Sequence, residues 1–313
     1  MRLLAVAGLA LLCLLSLTLG VTGTGLFDIW RGENAGLFWE SRLPRTLAAV
    51  LSGGGLAVSG HIMQHLARNR FVEPMTAGAG QSAALGLLLC TAVLPGAAIG
   101  WKMVAAAVAA MAGSLGLMAL IRPLPPTQPL LVPLVALVYG GMIGAVVTFF
   151  AYQGDMMQFL GTWMTGEFSG VLRGRYELLW LVGITSALAY GLADQLTLLS
   201  LGRPTALALG LNVRRVTGLA LVTVSAVTAM VVVTVGAIPF VGLVVPNLTA
   251  RLTGDNLRRS LPLTALGGGI LVLGADILSR WLRAPYEVPV ATTVSVIGAV
   301  VFLFMINQRP ARG

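Results

Sequence analysis

The feature that most constrains this chain is a series of long apolar runs free of charge. Residues Val222 to Val235 carry none, and comparable stretches recur along the sequence. Strands of an outer-membrane barrel alternate polar and apolar side chains, so they would interrupt such runs. A membrane-crossing helix needs about 20 consecutive apolar residues, because each residue rises about 1.5 Å through about 30 Å of hydrocarbon. Composition agrees: 57% of the 313 residues are hydrophobic and 10% are charged, whereas soluble domains run near a quarter charged. A soluble fold of this length could not hide that much apolar surface. A cytosolic enzyme, a disordered chain and a nucleic-acid binder are excluded, the last despite a formal net charge of +9. With roughly ten residues per connection, the length accommodates about ten spans.

The expected spans are Leu3–Gly20, Leu43–Leu66, Ala77–Leu94, Gly100–Ile121, Leu130–Phe150, Tyr176–Leu196, Val216–Val235, Ala237–Ala250, Leu261–Ser279 and Val288–Ile306. The first follows Arg2 and has no small-x-small cleavage site behind it, so it reads as a retained helix. Thr22 to Arg42 is too polar to span and reads as an external loop. Lys102 is the only lysine, and the arginines fall singly or in pairs between apolar runs, as topology signals do. With both termini in the cytoplasm the inner side holds twelve cations and the outer side eight. Cys13 and Cys90 both lie inside apolar runs, so neither a disulfide nor a CxxC metal site is expected.

Thirty-nine glycines, several within spans (Gly53-Gly54-Gly55, Gly267-Gly268-Gly269), fit close helix packing or helices that bend during transport. Catalytic patterns such as GxSxG and HExxH are absent. The single lysine follows Trp101, so a GxxxxGK[ST] phosphate loop cannot exist in this chain. His61 and His65 share a helix face at a spacing that can bind metal, but without a third ligand they read as hydrogen-bonded polar residues. Asp276 and Arg280 also share a face, either as a neutralising ion pair or as a functional one. Asp194 reads as interfacial. Between the sixth and seventh spans, Pro204 is placed to begin a short helix and Gly210 to end it. That helix either lies on the membrane or fits a groove on a cytoplasmic partner.

Several blocks resemble permeases of the FecCD type, from importers of iron–siderophores, haem and cobalamin. They are Arg42-Leu-Pro-Arg-Thr46 with the glycine-rich helix to Gln64, Asn69 to Gly80, Leu199 to Val213, Gly236 to Pro246, and Asp276-Ile-Leu-Ser-Arg280 with Glu287-Val-Pro289 and Gly298. The likeness covers residues 40 to 306. It departs at Asn69-Arg70-Phe71, where the family usually reads N-P-L, and at Asn247, Leu257 and Ala291. The Asn-Arg-Phe-Val-x-Pro and Val-Pro-Asn forms are similar to a branch that imports catecholate-type siderophores.

The resemblance implies an all-α, ten-span type II ABC importer permease in the bacterial inner membrane, one transmembrane domain over residues 1–313. It implies a second permease subunit, two cytoplasmic ATPases that hold ATP and Mg²⁺, and a periplasmic or lipoprotein substrate-binding protein. No cofactor is expected in this chain. Coupling to the ATPases falls to the segment 199–215, through Gly202, Arg203, Pro204, Thr205, Ala206, Leu209 and Gly210. Docking of the binding protein falls to Arg42, Arg45 and Arg280. A cargo path is expected along Met142, Phe149, Phe150, Tyr152, Phe159 and Trp163, which are equally consistent with packing or lipid contact. The rival readings are a haem, cobalamin or metal importer of the same fold, and an ion-coupled transporter relaying through Asp276 or Glu287.

Overall fold

The structure, a computed structural model, describes residues 1–18, 35–124, 131–283 and 286–307. Every regular element among them is helical. In chain order they are α1 (Arg2–Thr18), α2 (Leu43–Ala67), α3 (Ala79–Val93), α4 (Ile99–Ile121), α5 (Leu131–Gln153), α6 (Met157–Met164), α7 (Leu179–Tyr190), α8 (Ala193–Ser200), α9 (Arg203–Ala208), α10 (Val213–Val235), α11 (Val241–Thr253), α12 (Leu257–Leu282) and α13 (Val290–Asn307). Each of the ten expected apolar runs has its helix or helix pair, in order. Five are long and apolar enough to cross a membrane: α2 with the turns before it, α4, α5, α10 and α12. The pair α7–α8, bent by 62°, is long and apolar enough to be a sixth if its two helices form one span, while α1, α3 and α13 are shorter apolar helices.

Helix α2 is the axis of the molecule. It packs against α12, α10, α11 and α7, and nearly all of its residues from Ser52 to Gln64 are buried. Pro44 lies in its first turn, where a missing N–H costs nothing. It ends at Arg68, whose φ of 49° places it in the left-handed region. Its glycines allow backbone contact. A Cβ on Gly53 would come 2.4 Å from Gly268 O, and one on Gly60 would come 2.0 Å from Gly242 O. The packing reading of these glycines is therefore the one the structure carries. By contrast α4 and α5 leave much of their apolar surface outside the core, as suits helices facing lipid or another apolar surface.

Both ends of the chain meet at one face. Arg2 donates to Arg259 O at 3.0 Å, and Arg251 donates to Met305 O at 3.1 Å. With the N-terminus inside, this face is cytoplasmic and the face with Ser16, Thr46 and Arg280 is outer.

Three expectations shift. The sixth run is broken at Gly191–Leu192. The eighth helix begins at Val241 rather than Ala237, because residues 236–240 are non-helical, with Gly236 at φ 86° and Phe240 at φ 69°. The outer end of the expected loop is helical: Ala35–Leu37 and a π-helical turn Phe38–Arg42 run into α2. The rest of that loop, the end of the first span after Thr18, and Leu130 lie outside the described residues.

The non-helical segments reach into the bundle. At about 1.5 Å per residue, the 23 residues of α10 cover about 34 Å and the 13 of α11 only about 20 Å. Gly242 meets Gly60, which lies about 10 Å along α2 from its inner end. The loop after α2 reaches the same level, where Glu73, fully buried, accepts the Phe240 N–H at 2.9 Å.

Candidate functional site

The outer end holds a buried charge cluster. Asp276, with no exposed surface, accepts from Arg45 Nε at 3.1 Å and Nη2 at 2.8 Å, and is also paired with Arg280. Arg45 Nη1 reaches Glu287 at 2.9 Å. Arg280 donates to Ser16 Oγ at 2.7 Å, Ser16 bonds Thr46 at 2.8 Å, and Arg42 donates to Leu17 O at 3.1 Å. The cluster ties α1, α2 and α12 together. The i,i+4 pair expected from sequence is present, and Arg45 and Glu287 complete it to two cations and two carboxylates. The side chains of Arg45 and Arg280 are each only 12% exposed, and Arg42 is buried. All three arginines expected on a docking surface are thus engaged within the chain.

Toward the inner end a hydroxyl chain joins three helices. His61 Nδ1 lies 3.0 Å from Thr264 Oγ1, which lies 2.8 Å from Thr249 Oγ1. His65 Nδ1 lies 3.0 Å from His61 O. Gln64 donates to Gly242 O at 3.2 Å, and Asn247 to Arg70 O at 2.7 Å. The two histidines are therefore occupied by hydroxyl and carbonyl partners, as the hydrogen-bonded reading held. Among the described residues no three His, Cys, Asp or Glu side chains gather to hold a metal.

At the inner end, α9 stands between two glycines with left-handed or Gly-only backbone, Gly202 at φ 111° and Gly210 at φ 77°. Pro204 lies in its first turn. The carbonyl of Gly202 accepts from Ala206 N at 2.9 Å, and that of Ala206 from Leu211 N at 2.9 Å. Ala206 is fully buried on the inner core beside α8 and α10, while Leu207 and Leu209 are 54% and 59% exposed. Pro204 and Thr205 are exposed as well, and Arg203 is placed by its backbone alone. Two ion pairs flank this knob. Arg70 pairs with Asp255 at 2.7 Å, and Arg258 with Asp194, so Asp194 has a partner that its sequence context did not reveal.

The aromatic set does not converge on one wall. Met142, Phe149, Phe150 and Tyr152 are exposed on α5, whereas Phe159 and Trp163 on α6 stack at 5.8 Å and pack against the core.

A helical bundle with five helices long and apolar enough to cross a membrane, six with the bent pair, defines a multi-pass membrane protein. The chain belongs to the FecCD transport family, whose model matches residues 8–308. It is 39% identical to the petrobactin import system permease protein YclN of Bacillus subtilis, over 91% of this chain and 90% of that one. It is 41% identical to the ferric-anguibactin transport system permease protein FatD of Vibrio anguillarum, over 84% of each. A metal-chelate type ABC transporter solved in an inward-facing conformation superposes with a TM-score of 0.83 at 24% identity, over 97% of this chain and 98% of the other. The fold is that of type II ABC importer permeases.

Proposed function

We propose that this chain is the permease subunit of an ATP-driven importer carrying a ferric siderophore of the catecholate-containing class across the bacterial inner membrane by alternating access. The observation that carries this reading is α9. A six-residue helix cannot cross a membrane, yet its ends are fixed by Gly202, Pro204 and Gly210, and it holds two leucines out into the cytoplasm. Exposed leucines at the tip of a rigid knob fit a groove on a partner. ATP and Mg²⁺ belong to that partner, an ATPase, one copy per permease subunit. Gly202, Arg203, Pro204, Thr205, Ala206, Leu209 and Gly210 form the coupling element. Its root, Ala206, is buried against α8 and α10, so displacement of the knob is passed to the bent α7–α8 pair.

A second permease subunit is proposed on the exposed apolar faces of α5 and α13, either a copy or a related chain. A substrate-binding protein docks on the outer end. Arg42, Arg45 and Arg280 are proposed to serve that docking, Arg42 buried and Arg45 and Arg280 half-buried, by holding the outer ends of α1, α2 and α12 at the docking surface.

The test uses the permease co-expressed with its ATPase and binding protein and reconstituted in vesicles, with ferric petrobactin as the probe. Leu209→Asp should leave the permease folded, reduce ATPase co-purification and cut ATP-dependent uptake about tenfold or more, the scale of losing one buried contact of an interface centre. Uptake at the unaltered rate would refute the coupling assignment. Uptake independent of ATPase activity would favour the secondary-transporter reading. Substituting both Phe149 and Phe150 by leucine should leave uptake within about twofold, since an apolar side chain facing lipid or an apolar partner is replaced by another.

A further inference from the structure

A groove of about 480 Å³ opens on the side of the bundle between α1, α2, α7 and α12. Of its lining residues only Ser186 and Tyr190 carry a polar side-chain atom. Small residues, Gly183 and Ala187 on α7 and Ala265 on α12, leave it open. It occupies the inner half of the bundle. Tyr190 ends α7 on the cytoplasmic side, and Gly183 lies about 10 Å outward along the helix. On α12 the lining starts at Leu261, one turn after Arg258, and reaches Leu266, about 12 Å from Arg258. Further out the groove is shut. A Cβ on Gly269 would meet Val50 Cγ1 at 3.3 Å and Leu9 Cδ1 at 3.5 Å. The groove is thus about one leaflet deep, half of a hydrocarbon core of about 30 Å. That is too short for a partner's membrane-crossing helix and long enough for an acyl chain.

Its inner mouth is cationic. The Arg258 guanidinium lies 5.6 Å from the centre of the Tyr190 ring. Arg259 shares a helix face with the lining residues Pro262 and Leu266, at i+3 and i+7. Arg2 donates to Arg259 O at 3.0 Å and lies two turns below Leu9 on α1. Asp194 pairs with Arg258, and Asp255 is held by Arg70. Arg2 and Arg259 therefore supply a surplus of positive charge at this mouth.

We infer that this groove binds an anionic phospholipid of the cytoplasmic leaflet, one acyl chain lying between α7 and α12 and the phosphate meeting Arg2 and Arg259. Guanidiniums bind phosphate oxygens through paired N–H donors, and basic pockets between helices on the cytoplasmic side suit anionic headgroups. Tyr190 stands at the boundary, its ring beside the chain and its hydroxyl toward the headgroup, as tyrosines at membrane interfaces do. A zwitterionic lipid brings its own ammonium to the same cations and gains less. The bound chain would rest against α7, the outer member of the bent α7–α8 pair. The inference needs only the orientation with both termini inside and is independent of the cargo.

Native mass spectrometry of the delipidated importer complex, titrated with phosphatidylglycerol or phosphatidylethanolamine, tests this. Phosphatidylglycerol should be retained on each copy of this chain at several-fold lower concentration than phosphatidylethanolamine. Arg2→Gln with Arg259→Gln should weaken its retention about tenfold or more, the scale of two arginines lost beside an anionic lipid. Ala187→Phe should weaken it several-fold by filling the groove without altering charge. All three positions are exposed, so the variants should elute as the parent does. Arg122→Gln with Arg214→Gln removes the same charge outside the four helices of the groove and should change nothing. Equal retention of the two lipids, or equal weakening by the two arginine pairs, overturns the site in favour of lipid held by general charge. Retention indifferent to Ala187→Phe overturns the place of the acyl chain. Displacement of phosphatidylglycerol by millimolar inorganic phosphate would reduce the site to one for free anions. Retention by the isolated permease that is lost in the complex would give the groove to a protein partner.

Discussion

Asp276→Ala should destabilise the permease by about 3–5 kcal/mol, the cost of breaking a buried ion pair by removing one partner. Asp276 is wholly buried, and its two oxygens face Arg45 and Arg280. Removing it takes from both guanidiniums the carboxylate they share, while Arg45 keeps its pair with Glu287. The penalty comes from desolvated guanidiniums that lose their shared carboxylate more than from the lost attraction, so the double variant Asp276→Ala, Arg280→Ala should recover part of the stability, a non-additivity expected of neighbours in one network. Thermal unfolding of detergent-solubilised protein, followed by loss of monodisperse permease, reads both. A single variant within about 0.5 kcal/mol of the parent, the range of an ordinary surface substitution, would show that the cluster does not hold α1, α2 and α12 together.

Gly60→Ala should be comparably damaging for a different reason. A Cβ there would lie 2.0 Å from Gly242 O and 2.2 Å from Gly242 Cα. Both are backbone atoms of a packed helix, so no side chain can rotate aside. The helices α2 and α11 must move apart, which costs about 1–3 kcal/mol for a well-packed core and more where backbone is displaced. Separation would also break the Gln64 bond to Gly242 O and loosen the Glu73 contact at Phe240. Gly141→Ala is the matched control, since nothing lies within 4 Å of its Cβ position. There the helix gains up to about 1 kcal/mol from the better helix former. Equal unfolding temperatures for the two variants would exclude close α2–α11 packing as the reason for Gly60.

The parts of this architecture legible in the sequence are those set by local rules. Apolar runs gave the helices and their order. Proline and glycine bracketed α9 because each acts on the backbone at its own position. Asp276 and Arg280 were paired because they are one turn apart. The parts that were not legible depend on contacts between distant segments. Arg45 reads as an exposed loop-end cation until α12 is placed beside it. Hydropathy assigned Ala237–Phe240 to a helix because it counts apolar side chains. The start of α11 is instead fixed by Glu73, a carboxylate 167 residues earlier that accepts the Phe240 N–H.

The same separation has a consequence for biogenesis. Arg45 and Asp276 are 231 residues apart. At about 5–20 residues per second of synthesis, Arg45 enters the membrane roughly 10–50 s before its carboxylate exists. Glu73 likewise precedes the amide it will accept from. The nascent N-terminal half must therefore keep these groups in water, at the translocon or at the membrane surface, until α11 and α12 arrive. Packing of α12 against α2 is then a late step of assembly, and a chain truncated before α12 carries Arg45 without the carboxylate of Asp276.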